Sequence, residues 1–272
     1  DGSRLVGMGS SVSCAEATVY DAGLAIDRVL RAHSTRVYSV ATDGKHHTTG
    51  HTNGNIQLWD ATTLASVGHL QHGGQQVYCL AVRGDVLVSG SKDSTTKVWS
   101  IALRECRATM KHESGNSVNS VDVDEAVVAT ASDDRTARLW ALGSTSSKHA
   151  LHHPAEVNVV SLAADVVATG CYDNLVRLFG IDNGQLARTL RGHDREVLAI
   201  CMCDGVIVSG SGDNTVRVWL SQEDEAVAVL EGHSAGVNGV AITPCGGIIT
   251  SMSNTEVLTW VPAAPTSARM GM

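Results

Sequence analysis

The most reactive residue types of this chain recur as sets of histidine, serine or threonine, and aspartate. One set is His193, Ser209 and Asp213, and Trp219 follows the serine by ten residues. Hydroxyl, imidazole and carboxylate are the groups of a nucleophilic triad, in which the imidazole takes the hydroxyl proton. Here the set recurs along the chain and ends each time on an aromatic residue that favours burial, whereas catalysis needs one accessible set with an oxyanion site. We therefore interpret each set as structural: the indole N–H donates to the hydroxyl, the hydroxyl to the imidazole, and the imidazole to the carboxylate.

Three repeats contain all four groups of this tetrad. The residues are His72, Ser89, Asp93 and Trp99, then His112, Thr130, Asp134 and Trp140, then His193, Ser209, Asp213 and Trp219. Two other repeats have Asn53 and Asn254 in place of the carboxylate, and one keeps His153, Thr169 and Asp173 but has Phe179 in place of the indole. A buried group without its partner costs about 1–3 kcal/mol, so we expect these three repeats to be held less rigidly.

The remaining histidines could bind a metal ion in principle. His46, His47 and His51 surround one predicted hairpin, and His149 and His152 lie on a connection. Structural zinc sites usually have paired ligands such as Cys-x2-Cys, and that spacing does not occur in this sequence. We expect exposed histidines and no metal or cofactor.

Two further motifs have structural interpretations. Cys201 and Cys203 share one face of a predicted strand, and we expect both to be small core residues rather than a redox or metal pair. The glycine-rich stretch 209–212 lacks the following helix whose N-terminus would bind phosphate. No residue is predicted to be catalytic, and we expect no enzyme activity.

Composition limits the classes of partner. The chain has 272 residues, of which 43% are hydrophobic and only 4% aromatic, so its core rests on Val, Leu, Ile and Ala. The formal net charge of −8 argues against nucleic acid as a main partner. No stretch is long and apolar enough for direct membrane insertion. Seven cysteines, several within apolar runs, favour a reducing, intracellular compartment, cytoplasmic first, with a nucleus or organelle left open.

The sequence repeats with a period of about 40 residues. The aromatic marker of each copy stands at Trp59, Trp99, Trp140, Phe179, Trp219 and Trp260, with Tyr20 one period earlier. Residues 193–230 contain four short runs rich in β-branched residues, and Asp204-Gly205 and Asp213-Asn214 between them are hairpin turn residues. Each copy is therefore predicted to form four antiparallel strands and to stack on its neighbours.

These features resemble those of the WD40 β-propeller family. The Gly-His signature is complete at residues 192–193 and 232–233, Trp-Asp is complete at residues 59–60, and the resemblance runs from about Leu5 to Trp260. It implies an all-β propeller that forms a single domain over residues 1–272. We expect seven blades: six repeats beginning near residues 33, 72, 112, 153, 193 and 233, and a partial blade over residues 1–30. The partial blade would have strands at 4–10, 17–21 and 24–30, and residues after Trp260 could supply one more strand. A six-bladed ring is the alternative.

The resemblance also implies that most ligands dock on one rim, formed by the start of each first strand and the position before each turn aspartate. By this rule the partner-binding rim displays Arg36, Tyr38, Gln76, Tyr78, Lys92, Asn119, Asp133, Glu156, Asn158, Tyr172, Glu196 and Asn238. Tyr and Arg are enriched at interaction hot spots, which makes the part of the rim with three tyrosines the candidate docking surface. The alternative is that Tyr38 and Tyr78 line the walls of a central channel.

The predicted function is a non-catalytic scaffold or adaptor that binds other proteins or peptides within a larger intracellular complex. The hairpins resemble those of F-box-type ubiquitin-ligase receptors, TRAF-type ligases and the kinesin-4 tail, so a substrate-recruiting ligase receptor is one alternative. The sequence shows no F-box, RING or motor segment, and Ala61-Thr62 after Trp59-Asp60 does not complete the Trp-Asp-x-Arg box of cullin-4 receptors. A propeller hydrolase is the rival from another class.

Overall fold

The described part of the chain consists of β-strands joined by turns. A computed structural model describes the backbone of Leu5–Met8, Ala17–Tyr20 and Ile26–Leu30, and residues 35–113, 115–243, 246–254 and 257–260 in full. Within these residues, no helix is long and apolar enough to cross a membrane. His33 and the segment after Trp260, which the sequence analysis used, lie outside the described residues.

The strands form antiparallel sheets in chain order, and in each sheet a strand pairs with the next one along the chain. The first sheet contains β1 (Leu5–Met8), β2 (Ala17–Tyr20) and β3 (Ile26–Leu30). Blade one contains β4 (Val37–Thr42), β5 (His46–His51), β6 (Asn55–Asp60) and β7 (Ser66–Gln71). Blade two contains β8 (Val77–Arg83), β9 (Val86–Ser91), β10 (Thr95–Ser100) and β11 (Glu105–Lys111). Blade three contains β12 (Val118–Val123), β13 (Val127–Ser132), β14 (Thr136–Ala141) and β15 (Ser147–His152). Blade four contains β16 (Val157–Ala163), β17 (Val166–Cys171), β18 (Val176–Gly180) and β19 (Leu186–Leu190). Blade five contains β20 (Val197–Cys203), β21 (Val206–Ser211), β22 (Val216–Leu220) and β23 (Ala228–Leu230). Blade six contains β24 (Val237–Ile242), β25 (Ile248–Met252) and β26 (Val257–Trp260).

This arrangement confirms the all-β propeller. The six repeats form six blades, and β1 to β3 form a smaller sheet at the positions predicted for the partial blade. Strand β1 lies against β4, as the second strand of each later blade lies against the first strand of the next. Neither an innermost strand for the first sheet nor a fourth strand for blade six occurs among the described residues.

The turn residues adopt the backbone that the sequence predicted. Asp204 and Gly205 have φ values of 47° and 78°, and Asn214 has φ of 66°. Asn, Asp and Gly tolerate positive φ, which the tight turns between right-twisted antiparallel strands require. These turns fix the register of β20 to β22 and therefore the places of the rim residues.

The hydrophobic core lies between blades rather than within one. The cluster that contains Trp219 joins Ala168, Val176 and Leu190 of blade four to Val197 of blade five. Trp99, Trp140 and Phe179 likewise contact the blade that precedes their own. A single blade cannot bury its apolar faces alone, which is why the repeats stack.

Close contact between blades favours a very small residue in the second strand, which is glycine in blades one, two, four and five and Ala131 in blade three. A Cβ on Gly210 would lie 2.7 Å from Cγ1 of Val237 in the next blade, and a Cβ on Gly90 would lie 2.7 Å from Cγ1 of Val118. At these two glycines, the valine that opens the next blade occupies the space that a side chain would need.

Candidate functional site

The two turn families that define the rim are hydrogen-bonded to each other in every repeat. In each blade the backbone N–H after the second strand donates to the carbonyl just before the first strand, at 3.0 to 3.1 Å. The pairs are Thr52 with Arg36, Lys92 with Gln76, Asp133 with Ser117, Tyr172 with Glu156, Gly212 with Glu196, and Ser253 with Gly236. The fold therefore places the two sets of side chains side by side.

A β-bulge at the start of every first strand positions a third rim residue. The opening valine and the second residue after it pair with the neighbouring strand, and the residue between them is extra. The extra residues are Tyr38, Tyr78, Asn119, Asn158, Leu198 and Asn238. A bulge turns its side chain away from the regular alternation of the strand, so these six side chains occupy equivalent places around the rim.

Tyr38, Tyr78 and Arg36 form one stack across blades one and two. The tyrosine ring centroids are 5.3 Å apart with an interplanar angle of 68°, an edge-to-face contact. Cζ of Arg36 lies 5.1 Å from the centroid of the Tyr38 ring, which is a cation–π contact. Partial burial raises the pKa of Tyr78, and the neighbouring Tyr38 and the negative Asp133 raise it further by smaller amounts, so this phenol stays protonated. Both tyrosines are half-buried and Arg36 is exposed.

The amides of Asn119 and Asn158 connect neighbouring blades. Asn119 Nδ2 donates to Asp133 Oδ1 at 2.6 Å and to the carbonyl of Val157 at 3.2 Å. Asn158 Nδ2 donates to the carbonyl of Val197 at 3.0 Å. Both amides already have structural partners, and Asn119 also orients the carboxylate of Asp133.

The other predicted rim residues occupy the same edge without joining the tyrosine stack. Gln76 is half-buried, and its Oε1 has no hydrogen-bond partner in the described structure. Glu196 Oε2 lies 3.6 Å from Nε of Arg195. Tyr172 is 55% exposed. Lys92, Glu156 and Asn238 are exposed. The structure therefore brings together the residues of blades one to three more closely than the rest of the predicted set.

The tetrads of blades three and five have the expected geometry. In blade five, Trp219 Nε1 donates to Ser209 Oγ at 2.9 Å, that oxygen lies 2.7 Å from His193 Nε2, and His193 Nδ1 lies 2.8 Å from Asp213. In blade three the corresponding distances, from Trp140 through Thr130 and His112 to Asp134, are 3.0, 2.7 and 2.9 Å.

The electrostatics of the blade-five tetrad favour a neutral imidazole beside a carboxylate. Burial alone would raise the pKa of Asp213, but hydrogen bonds from Thr215, His193 and the backbone N–H of Asp194 lower it to about 2. Burial lowers the pKa of His193 against the opposing effect of Asp213. Ser209 is 0% exposed, so its hydroxyl is closed to a substrate and its role is to join the indole to the imidazole.

The tetrad of blade two uses an additional hydroxyl. Trp99 Nε1 donates to Ser89 Oγ at 2.8 Å and His72 Nδ1 lies 2.7 Å from the same oxygen. The other imidazole nitrogen lies 2.8 Å from Thr95 Oγ1, and Thr95 donates to Asp93 at 2.6 Å. The direct His72 to Asp93 distance is 3.6 Å, so threonine connects the two groups and the predicted direct bond is corrected.

Blade four does not use Asp173 as its histidine partner. His153 Nε2 lies 2.8 Å from Thr169 Oγ1 as expected, but Nδ1 lies 3.0 Å from the carbonyl of Leu151. Asp173 instead accepts two hydrogen bonds from Arg177, at 3.1 and 2.6 Å. Burial lowers the pKa of His153 to about 4, and the Leu151 carbonyl and the negative Asp173 offset this shift only in part.

In blades one and six, the described residues show the following contacts of the indole, hydroxyl and imidazole groups. Trp59 Nε1 donates to Thr49 Oγ1 at 3.3 Å, and His51 Nε2 lies 3.1 Å from the same hydroxyl. In blade six, His233 Nε2 lies 2.9 Å from Thr250 Oγ1, whereas Trp260 Nε1 is buried with no hydrogen-bond partner among the described residues.

The remaining histidine and cysteine candidates are only partly placed as expected, since His47 and His51, which the sequence analysis expected to be exposed, are buried. No group of three or more potential metal ligands occurs in the described part of the chain. His47 lies 2.9 Å from Thr42 Oγ1, and His149 lies 2.9 Å from the carbonyl of Asp182. The expected burial of both Cys201 and Cys203 is wrong for Cys203, which is exposed because it ends β20 beside a turn.

Sequence reasoning missed the polar contacts between blades. Ser39 donates to the carbonyl of Val77 at 3.2 Å, and Asp122 accepts from the backbone N–H of Leu162 at 2.7 Å. Burial raises the pKa of Asp122 in spite of this hydrogen bond. The period itself was the available signal, because partners 38 to 40 residues apart are equivalent positions of adjacent repeats.

Fold and site together define a propeller in which the indole of blades one, two, three and five donates to a hydroxyl that contacts an imidazole. The family described as "WD domain, G-beta repeat" matches more than half of the chain, and the protein belongs to this WD40 family. The matched segments are residues 26–60, 63–100, 104–141, 184–219 and 224–260. They leave out most of blade four, the blade in which Phe179 replaces the indole.

Curated relatives match through part of their length. Mitochondrial division protein 1 of Pyricularia oryzae is 22% identical over 168 residues, covering 60% of this chain and 25% of the relative. The protein of the same name from Schizosaccharomyces pombe is 26% identical, covering 59% and 22%. Zinc finger CCCH domain-containing protein 59 of Arabidopsis thaliana is 41% identical over 71 residues, covering 23% and 14%. The chain thus spans no more than about a quarter of these relatives.

Solved structures share the fold at low sequence identity. The WD40 β-propeller domain of Doa1 superposes with a TM-score of 0.81 at 21% identity, covering 96% of both chains. The computationally designed Ika8 protein superposes with a TM-score of 0.78 at 22% identity, covering 90% of this chain and 77% of that one.

Proposed function

We propose that residues 1–272 form one propeller domain that binds segments of other proteins on its rim and performs no catalysis. The observation that carries this proposal is the stack of Arg36, Tyr38 and Tyr78. Tyrosine and arginine combine apolar contact area with polar groups and dominate binding energy at many interfaces. Their side chains stack on one another at an open edge, so they form a preorganised surface for a partner.

The fold uses the backbone of these residues and leaves the polar ends of their side chains available. Arg36 accepts the rim hydrogen bond through its carbonyl, while its guanidinium has no ion pair within the described structure. The hydroxyls of Tyr38 and Tyr78 likewise form no hydrogen bond there. A partner could therefore contact these polar groups without breaking an existing bond.

A non-catalytic role is supported by the burial of the only repeated nucleophile-like groups. Ser89, Ser209 and Thr130 are each 0% exposed. The net charge of −8 supports proteins rather than nucleic acid as partners. Cysteines that remain free in the described residues support an intracellular, cytoplasmic location.

The larger assembly is suggested by the relatives. Because the chain spans a minor part of each of them, we infer that the propeller acts as one component of a complex. Two of these relatives are named for mitochondrial division, so proteins of that process are the first partners to test. The ligase-receptor alternative has no observation in its favour.

The test is partner capture by a quadruple variant: Arg36→Ala, Tyr38→Ala, Tyr78→Ala and Tyr172→Ala. The tagged protein is used as bait in an extract of its native source, and co-purifying proteins are quantified by mass spectrometry. Specific partners should be lost while circular dichroism and a cooperative melting transition show an intact fold. Retention of the whole partner set by the folded variant would refute the rim assignment.

A control variant changes exposed residues away from the rim. Leu103 and Leu186 are 64% and 52% exposed, and Arg83 ends β8 at the opposite edge of the blade. Substituting these residues with alanine should leave capture unchanged. For the enzyme rival, hydrolase and phosphatase assays on the purified protein should show no turnover above the background of the control preparation.

A further inference from the structure

The charges of the rim are separated by blade. Each blade presents three equivalent rim positions: the residue before the opening valine, the bulge residue, and the residue after the second strand. At these positions the charged residues of blades one and two are both cations, Arg36 and Lys92. The charged residues of blades three to five are all anions, Asp133, Glu156 and Glu196. Blade six has Gly236, Asn238 and Ser253, which are neutral.

Within the described residues, both cations and two of the three anions, Asp133 and Glu156, lack a charged partner. Arg36, Lys92 and Glu156 are exposed, and none forms an ion pair within the described residues. Glu196 differs, because Arg195 lies 3.6 Å from it and offsets its charge. At the three rim positions, the unpaired charge is therefore positive in blades one and two and negative in blades three and four.

The tyrosine pair lies between the two parts. Tyr38 and Tyr78 belong to blades one and two, and the negative part begins at Asp133 in blade three, whose first strand lies against the first strand of blade two. Asn119 Nδ2 donates to one oxygen of Asp133 at 2.6 Å, and the other oxygen accepts no hydrogen bond within the described residues. Along the rim, the positive part is thus followed by the apolar surface of the tyrosine pair and then by the negative part.

We infer that the partner segment is an extended peptide with separated charges: an acidic residue that contacts Arg36 and Lys92, an apolar or aromatic residue on the tyrosine pair, and a basic residue that contacts Asp133 and Glu156. This inference rests on the proposed function, because it names the chemistry of the ligand at the same rim. Separated charges fix the direction in which a peptide lies and disfavour peptides of a single charge sign.

The experiment is selection from a random peptide library displayed on phage, with the folded protein as bait. Peptides enriched on the unaltered protein should combine an acidic and a basic residue on either side of an apolar one. The variant Arg36→Glu with Lys92→Glu should lose the acidic preference, and Asp133→Lys with Glu156→Lys should lose the basic preference. The individual peptides should bind these variants at least about tenfold more weakly, and their affinity should fall as salt increases.

A control variant changes the net charge by the same amount as Arg36→Glu with Lys92→Glu, but away from the rim. Arg83 and Arg107 form only exposed ion pairs away from the rim, so Arg83→Glu with Arg107→Glu should leave the selected peptides and their affinities unchanged. Enriched peptides without charge separation, or preferences that survive both rim variants, would overturn the inference.

The outcomes also separate this inference from the proposed function. Peptides of another charge pattern that lose binding to Tyr38→Ala with Tyr78→Ala would leave the rim as the docking surface and refute only the charge separation. Peptides whose binding ignores both tyrosines and all four rim charges would refute the two proposals together.

Discussion

Removal of the central hydroxyl of the blade-five tetrad tests the relay most directly. Ser209→Ala deletes only the oxygen that joins Trp219 to His193, at 2.9 and 2.7 Å. Ser209 and Trp219 are 0% exposed and His193 is 6% exposed, so water cannot replace the lost bonds without opening the core.

The hydrogen bonds that Ser209→Ala removes determine how much the free energy of unfolding should fall. The indole N–H loses its only acceptor and the imidazole Nε2 loses its donor, and each buried orphan costs about 1–3 kcal/mol. The free energy of unfolding should therefore fall by about 2–6 kcal/mol. That loss is a large fraction of the 5–15 kcal/mol that stabilises a typical protein domain.

Blade six provides the matched comparison. Thr250 occupies the equivalent position, with its hydroxyl 2.9 Å from His233 Nε2, but the indole of Trp260 has no hydrogen-bond partner among the described residues. Thr250→Val keeps the side-chain shape and leaves only one group newly orphaned. Its cost should be about half that of Ser209→Ala, or roughly 1–3 kcal/mol.

The assay is urea unfolding of the unaltered protein, Ser209→Ala and Thr250→Val at pH 7. Unfolding is monitored by far-ultraviolet circular dichroism and tryptophan fluorescence. Equal slopes against urea would show that the free energies can be compared. The reasoning is refuted if Ser209→Ala costs less than about 1 kcal/mol. It is equally refuted if Thr250→Val lowers the free energy of unfolding by as much as Ser209→Ala does.

Three further predictions follow from neighbouring features. Cys171→Ser should raise stability by about 1 kcal/mol in the same urea assay, because Ser211, the equivalent residue, accepts the turn-aspartate N–H at 3.1 Å; a loss of stability would contradict this. Gly210→Ala should cost about 1–3 kcal/mol through its clash with Val237, 2.7 Å from the added Cβ; an unchanged unfolding midpoint would refute that packing role. Because the pKa of His153 falls from 6.5 to about 4 on folding, the unfolded chain binds the proton more readily, and stability should fall as pH drops from 6.5 to 4. The fall attributable to this group is about 3 kcal/mol, and a pKa above 6 measured for His153 by nuclear magnetic resonance would contradict the prediction.

Much of the fold follows from the sequence because the repeated residues each serve a physical need. The aromatic period located the third strands, and the turn residues located hairpins such as Asp204-Gly205, which has the predicted positive φ. The hydroxyl-to-imidazole contacts were predictable because an indole N–H can only donate and needs a buried acceptor.

The partner of each carboxylate was not predictable from spacing. Arg177 follows Asp173 by four residues and takes its carboxylate, yet Arg138 follows Asp134 at the same interval while His112 keeps its bond to that aspartate. Which donor binds depends on side-chain geometry that neither the period nor the residue types specify. The stack of Tyr38 on Tyr78 was undetectable for a similar reason, since it joins two repeats through bulges whose positions the sequence pattern does not show.

The repeated and the variable positions of the rim have different physical roles. The opening valines are 0% to 7% exposed in all six repeats, and those of blades two to six pack beside the Gly or Ala of the preceding blade. The bulge residue directly after each valine changes from Tyr to Asn to Leu, although the backbone there has the same irregular pairing. Because tyrosine, asparagine and leucine all occur at this position of the same fold, the fold does not require tyrosine there. Substitution of an opening valine should therefore reduce stability, whereas substitution of Tyr38 or Tyr78 should reduce binding, and a melting curve beside a binding curve for each variant would separate the two effects.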